Sequence, residues 1–97
     1  MTIYHLTPAA RADLTGIWDY TEERWGVVQA ERYTRQIEQV FQALSDGTAI
    51  SYDAEEIRSG YRKAIVGRHM VYFRTEDDQI VVIRILHQSM DVDGQLG

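Results

Sequence analysis

Ala30-Glu31-Arg32-Tyr33-Thr34-Arg35-Gln36-Ile37-Glu38-Gln39-Val40-Phe41-Gln42-Ala43-Leu44 is the stretch whose pattern decides the fold. Ala30, Tyr33, Ile37, Val40, Phe41 and Leu44 recur at helical spacing as one apolar stripe, and Glu31, Arg32, Arg35 and Glu38 cover the remaining surface. Ser45-Asp46-Gly47 stops the helix. Upstream, Ala10, Leu14, Ile17 and Thr21 repeat the same spacing with Trp18 beside them, after Thr7 as an N-cap and Pro8 at the first helical position. Asp13 lies toward the positive end of that helix dipole. Only a few residues around Trp25-Gly26 join the two helices, so they pack antiparallel as a hairpin.

On either side the period changes from helical to extended. Ile3 to Leu6 reads as a short strand. Tyr61 to Val66 and Met70 to Arg74 flank Val66-Gly67-Arg68-His69, a hairpin turn in which Gly67 supplies the unusual torsion. Thr75 to Gln79 makes a further turn, and Ile80 to Leu86, apolar on both faces, reads as the central strand. Arg84 is placed there on one face with Ile80, Val82 and Leu86. Thr48 to Gly60 has no periodicity and reads as a surface loop with at most a helical turn. The expected fold is α+β: an N-terminal strand, then a two-helix hairpin packed on a small antiparallel sheet, in the order strand, helix, helix, strand, strand, strand.

Ninety-seven residues fit one domain, 1–97, in which roughly 60–65% of the unfolded chain's surface can be buried. A hydrophobic share of 44% against 26% charged is that of a globular chain. The absence of cysteine excludes disulfides, thiolate metal sites and cysteine nucleophiles. Met1 to Pro8 has no signal-peptide pattern and no stretch is long and apolar enough to span a membrane, so the cytoplasm is the expected compartment. The net charge of −5 repels a polyanion as a whole, which favours a protein partner over direct nucleic-acid binding.

Candidates for chemistry are few. Ser45, Ser51, Ser59 and Ser89 fall in turns or at element ends, outside any strained strand-to-helix elbow. His5, His69 and His87 come from three strands or turns without the local spacing of metal ligands, and read as hydrogen-bonded histidines; no metal and no cofactor is expected. Trp18, Trp25, Tyr33 and Phe41 read as core between helices and sheet. The cations carry more information: Arg58, Arg62, Lys63, Arg68, Arg74 and Arg84, six of the ten, fall in the last 40 residues, interleaved with Tyr61, Tyr72 and Phe73. A folded sheet is expected to gather them into a cationic surface suited to carboxylate or phosphate contacts. Arg84, on a central strand, requires an anionic partner.

Taken in order, several segments resemble one family. They are Leu6-Thr7-Pro8-Ala9-Ala10 with Ala12-Asp13-Leu14, then Trp25-Gly26 followed by Gln29-Ala30, Glu56-Ile57-Arg58 and Gly60-Tyr61-Arg62-Lys63. Gly67 and His69, Val82-Ile83-Arg84-Ile85-Leu86-His87 and Ser89-Met90-Asp91 complete the series. The chain resembles, nearly end to end, the ParE toxins of the RelE/ParE superfamily, the toxin halves of type II toxin–antitoxin modules, some of which serve plasmid stabilisation. The resemblance implies two antiparallel helices on a small antiparallel sheet. It also implies a ParD-type antitoxin whose C-terminal segment wraps across helices and sheet, and a toxic activity exerted by inhibiting DNA gyrase. The other branch, like RelE, cuts messenger RNA on the ribosome.

Cutting RNA without a metal needs a base, an acid and cations for the developing phosphate charge. After Arg84 there is no Lys, Arg or Tyr, and Asp91 and Asp93 follow instead; His87 is the one residue there able to do acid–base work. The expectation is therefore a non-catalytic toxin, with no catalytic residues, whose partner contacts come from Arg58, Tyr61, Arg62, Arg68, His69, Arg74, Arg84 and His87. The alternatives are a ribosome-dependent endoribonuclease and a non-toxic relative that only binds antitoxin.

Overall fold

Strand β1 (Tyr4–Leu6) hands over to helix α1 (Pro8–Trp25) through Thr7, whose hydroxyl accepts a hydrogen bond from the Ala10 N–H at 3.1 Å. These relations come from a computed structural model, which describes residues 3–89; the polar C-terminal stretch carrying Asp91 and Asp93 lies outside the described residues. Gly26 alone joins α1 to α2 (Val27–Asp46), with φ +91° and ψ 170°, a conformation open to glycine because it has no Cβ. The helical hairpin is thus tighter than a few-residue link. Gly47, at φ +76°, ends α2, and its N–H donates to the carbonyls of Ala43 and Leu44.

The remaining strands are β2 (Tyr52–Asp53), β3 (Arg62–Val66), β4 (His69–Glu76) and β5 (Gln79–His87), and the sheet runs β1-β5-β4-β3-β2. β2 to β5 pair antiparallel, whereas β1 lies parallel to β5, so the sheet is mixed. The β4–β5 turn is tighter than the Thr75–Gln79 turn expected, because Asp77 and Asp78 both take positive φ, 52° and 62°, as a two-residue hairpin of twisted strands requires. The stretch expected as a surface loop with at most a helical turn contributes a fifth, two-residue strand, β2. It then folds Ala54 and Tyr61 over the sheet face turned away from the helices.

That division makes two cores. On the helix side, Ile17, Ile37, Phe41 and Leu44 pack against Ala64, Val66, Val71, Phe73, Ile80, Val82 and Ile85. On the other side, Ala54, Tyr61, Tyr72 and Leu86 form a smaller cluster with Ile57, Met70 and Ile83 against it. Strict alternation along β5 would put Val82 and Leu86 on one face. A β-bulge separates them: Tyr72 faces Arg84 while its neighbour Phe73 faces Val82, so Ile83 is an extra residue. The expectation that Arg84 shares a face with Ile80, Val82 and Leu86 fails for this reason. Trp25, expected in the core, is 63% exposed, because it is the last residue of α1 where Gly26 reverses the chain. Among the described residues, no helix is long and apolar enough to cross a membrane.

Candidate functional site

The bulge explains where Arg84 finds its anion. An extra residue breaks the ladder, and the backbone groups it frees need partners. Thr7 supplies two, its N–H donating to the Val82 carbonyl at 3.0 Å and its hydroxyl to the Ile83 carbonyl at 2.8 Å. Asp13 supplies the third: its carboxylate accepts from the Ile85 N–H at 2.9 Å and, as a fork, from Arg84 Nε at 2.7 Å and Nη2 at 3.0 Å. The carboxylate raises the pKa of the guanidinium above its ordinary value, and burial opposes that only in part. Asp13 and Arg84 therefore clamp α1 to β5.

Beyond this clamp β4 and β5 end side by side, with His69 directly opposite His87 in the ladder. Their rings meet edge to face at 5.3 Å between centroids. Tyr33 of α2 reaches down to them, its hydroxyl 2.6 Å from His69 Nδ1 and 3.1 Å from the Val66 carbonyl. Gly67 makes that approach possible: it sits at φ +57°, and a Cβ there would lie 2.6 Å from the Tyr33 hydroxyl. His87 Nδ1 accepts from the Ser89 N–H at 3.2 Å and lies 2.7 Å from the Ser89 hydroxyl, so its neutral ring carries the proton on Nε2. Burial lowers the pKa of His69, His87 beside it lowers it further, and Asp13 opposes both. Burial raises that of Tyr33.

Above these residues lie two adjoining concavities of about 700 and 570 Å³ that share Tyr20, His69 and His87. The larger is rimmed by Arg24, Trp25 and Arg68; the smaller runs along α1 past Asp13 and Gly16. Arg24 stacks over Tyr20 at 5.1 Å, and Tyr20 meets Trp25 edge-on at 6.2 Å. The arrangement offers hydrogen-bond donors, cationic groups and aromatic faces to a ligand or partner.

The expected single cationic surface does not form. Arg68, His69 and His87 come together in this groove. Arg84 is next to it but held by Asp13. Arg74 pairs with Glu76 at 2.9 Å near the far end of β4, six residues from Arg68 and so about 20 Å along the strand. Arg62 donates to Ser51 at the β2 edge, and Arg58 lies 6.0 Å over the Tyr61 ring in the segment covering the second face. Tyr61 is itself buried. Strand pairing distributes residues by register and face, so closeness in sequence did not become closeness in space. Of the three histidines two meet; His5 is on β1, bonded to Gln79 at 2.7 Å. Sequence reasoning missed Tyr20, Arg24, Trp25 and Tyr33 as groove residues. For Tyr33 a signal existed, an aromatic on α2 combined with a glycine in the β3–β4 turn. For the others none did.

The family model described as "ParE toxin of type II toxin-antitoxin system, parDE" matches residues 4–92. The chain belongs to the ParE toxin family. It is 46% identical over 94 residues to Toxin ParE1 of Mycobacterium tuberculosis, a match covering 96% of each chain. It is 38% identical over 97 residues to Toxin ParE1 of Caulobacter vibrioides, covering both chains entirely. Its fold is that of a chain from a chromosomal ParDE system of P. aeruginosa, with a TM-score of 0.75 at 22% identity over 90% of this chain and 96% of that one. The fold is also shared, at a TM-score of 0.59 and 12% identity, with a chain of the YoeB–YefM complex of Staphylococcus aureus, covering 90% and 97%. This ParE-family toxin thus carries its groove on the two-helix, five-strand framework of the wider fold.

Proposed function

We propose that this ParE-family toxin acts by occupying a surface of DNA gyrase, with no bond-breaking chemistry of its own, and that a ParD-type antitoxin neutralises it in the cytoplasm. The observation that carries the non-catalytic reading is the Asp13–Arg84 pair. The arginine of the central strand, which a phosphodiester-cleaving site would aim at the developing charge, is instead turned to a carboxylate within the fold, which it grips in a fork through Nε and Nη2. Family membership supports the toxin role, and the resemblance described above supplies gyrase and the antitoxin. Arg68, His69 and His87 contact one partner from the groove, with Arg84 holding α1 in place beneath them. Arg58, Arg62 and Arg74, with Tyr61 supporting Arg58, serve contacts on other faces. Purified protein at micromolar concentration should inhibit supercoiling by gyrase, and added antitoxin should relieve the inhibition. Undisturbed supercoiling would end the gyrase reading.

One observation favours a second reading. His87, His69 and Tyr33 stand within reach of one another beside Arg68, which is a possible acid–base set for ribosome-dependent RNA cleavage. Primer extension on messages from expressing cells separates the two, since cuts within codons belong to this reading alone. Normal growth on induction without antitoxin would leave a relative that only binds antitoxin.

A further inference from the structure

The larger concavity differs in composition from the chain around it. On a protein with a net charge of −5, it is lined, among the described residues, by two arginines, two histidines and three large aromatics, and by no carboxylate. Arg35, Arg74 and Arg84 are each paired with an acidic side chain, whereas among the described residues neither Arg24 nor Arg68 is. His87 presents Nε2–H as a donor, because Ser89 holds Nδ1. Tyr20 and Trp25 are 54% and 63% exposed, with Arg24 stacked over the Tyr20 ring. A volume of about 700 Å³ is that of a site for a small organic ligand.

From these features we infer that the groove between α1 and the ends of β4 and β5 binds a nucleoside monophosphate. The phosphate takes charge-assisted hydrogen bonds from Arg24 and Arg68 and a hydrogen bond from His87 Nε2–H, and the base lies against Tyr20 and Trp25. A free mononucleotide fits better than a strand. Glu22 and Glu23 stand on α1 between Tyr20 and Arg24, and an extended polyanion leaving the groove would meet a body of net charge −5. The inference goes beyond the gyrase reading and does not rest on it, since the site is assayed on the toxin alone.

The test is a titration of the isolated protein with AMP, adenosine and inorganic phosphate, followed by backbone amide shifts and calorimetry. AMP should move the amides of Gly67, Arg68, His69 and His87 with a dissociation constant of about 1 mM or tighter, and phosphate and adenosine should each bind at least about tenfold more weakly. Arg24→Glu and Arg68→Glu should each weaken AMP at least about tenfold while keeping the dispersed spectrum of the folded chain, and Arg35→Glu on α2 should change nothing. No shift at the groove amides with about 10 mM AMP would overturn the inference, and that reading needs no variant. Phosphate binding as well as AMP would reduce the groove to a simple anion site, and adenosine binding as well as AMP would reduce it to an apolar one. A single-stranded oligonucleotide binding there more than about tenfold tighter than AMP would replace the mononucleotide with a strand.

Discussion

Asp13 shows how much one side chain can hold. Its two oxygens accept from Arg84 and from the Ile85 N–H, and both charged partners are mostly shielded, with 16% and 21% of their side chains exposed. Removing the carboxylate takes the ion-pair partner in α1 from Arg84 and the side-chain acceptor from the Ile85 N–H. After a discount for the remaining exposure, Asp13→Ala should cost about 2–3 kcal/mol in urea denaturation. Asp13→Asn, which keeps an acceptor for Ile85, should lose less; equal losses would mean that the Ile85 bond contributes nothing. His69 supports a prediction in pH. Its pKa lies below the ordinary 6.5 in the folded protein, so between the two values the unfolded chain binds the proton and the folded one does not. The stability this neutral ring contributes is complete above about pH 6.5 and is lost as pH falls below it toward the lowered value. Unfolding free energy measured from pH 7.5 to 5.5 should decline, and His69→Gln should flatten that decline; an unchanged slope would assign the effect to the carboxylates.

Among the elements, the helical hairpin turns on a single residue. Gly26 ends α1 and starts α2 at φ +91°, and a Cβ there would meet nothing within 4 Å, so any penalty for a side chain is torsional alone. Gly16 is the control: it lies exposed inside α1, equally free of neighbours, at an ordinary helical torsion. Gly26→Ala should therefore destabilise by about 1–3 kcal/mol, and Gly16→Ala should stabilise by about 0.5–1 kcal/mol. The two are read as opposite shifts of the urea midpoint at constant m. A shift in the same direction would show that the connector is not the constraint. At this scale the sequence was legible wherever the signal was local. The Thr7-Pro8 start, the α2 stripe and the Gly67 turn all stand in the structure. β2 was not legible, because two residues carry no periodicity and pair only when β3 is beside them.

Over the whole molecule, the cations that cluster in the sequence scatter over the sheet, and an aromatic, cationic groove forms from residues that the sequence keeps apart. Tyr20, Arg24 and Trp25 come from α1, Tyr33 from α2, His69 from β4 and His87 from β5. The amino-acid sequence by itself determined the helical hairpin and the order of every element but β2, because caps, turns and apolar periods act between near neighbours along the chain, and its ordered motifs carried the resemblance to the family. The tertiary structure alone decided that β1 runs parallel to β5, that a bulge divides that strand between two cores, and that Arg84 belongs to Asp13. It alone also placed Tyr33, His69 and His87 together. Each of these depends on register between distant segments, and a shift of one residue in a strand moves every side chain to the opposite face.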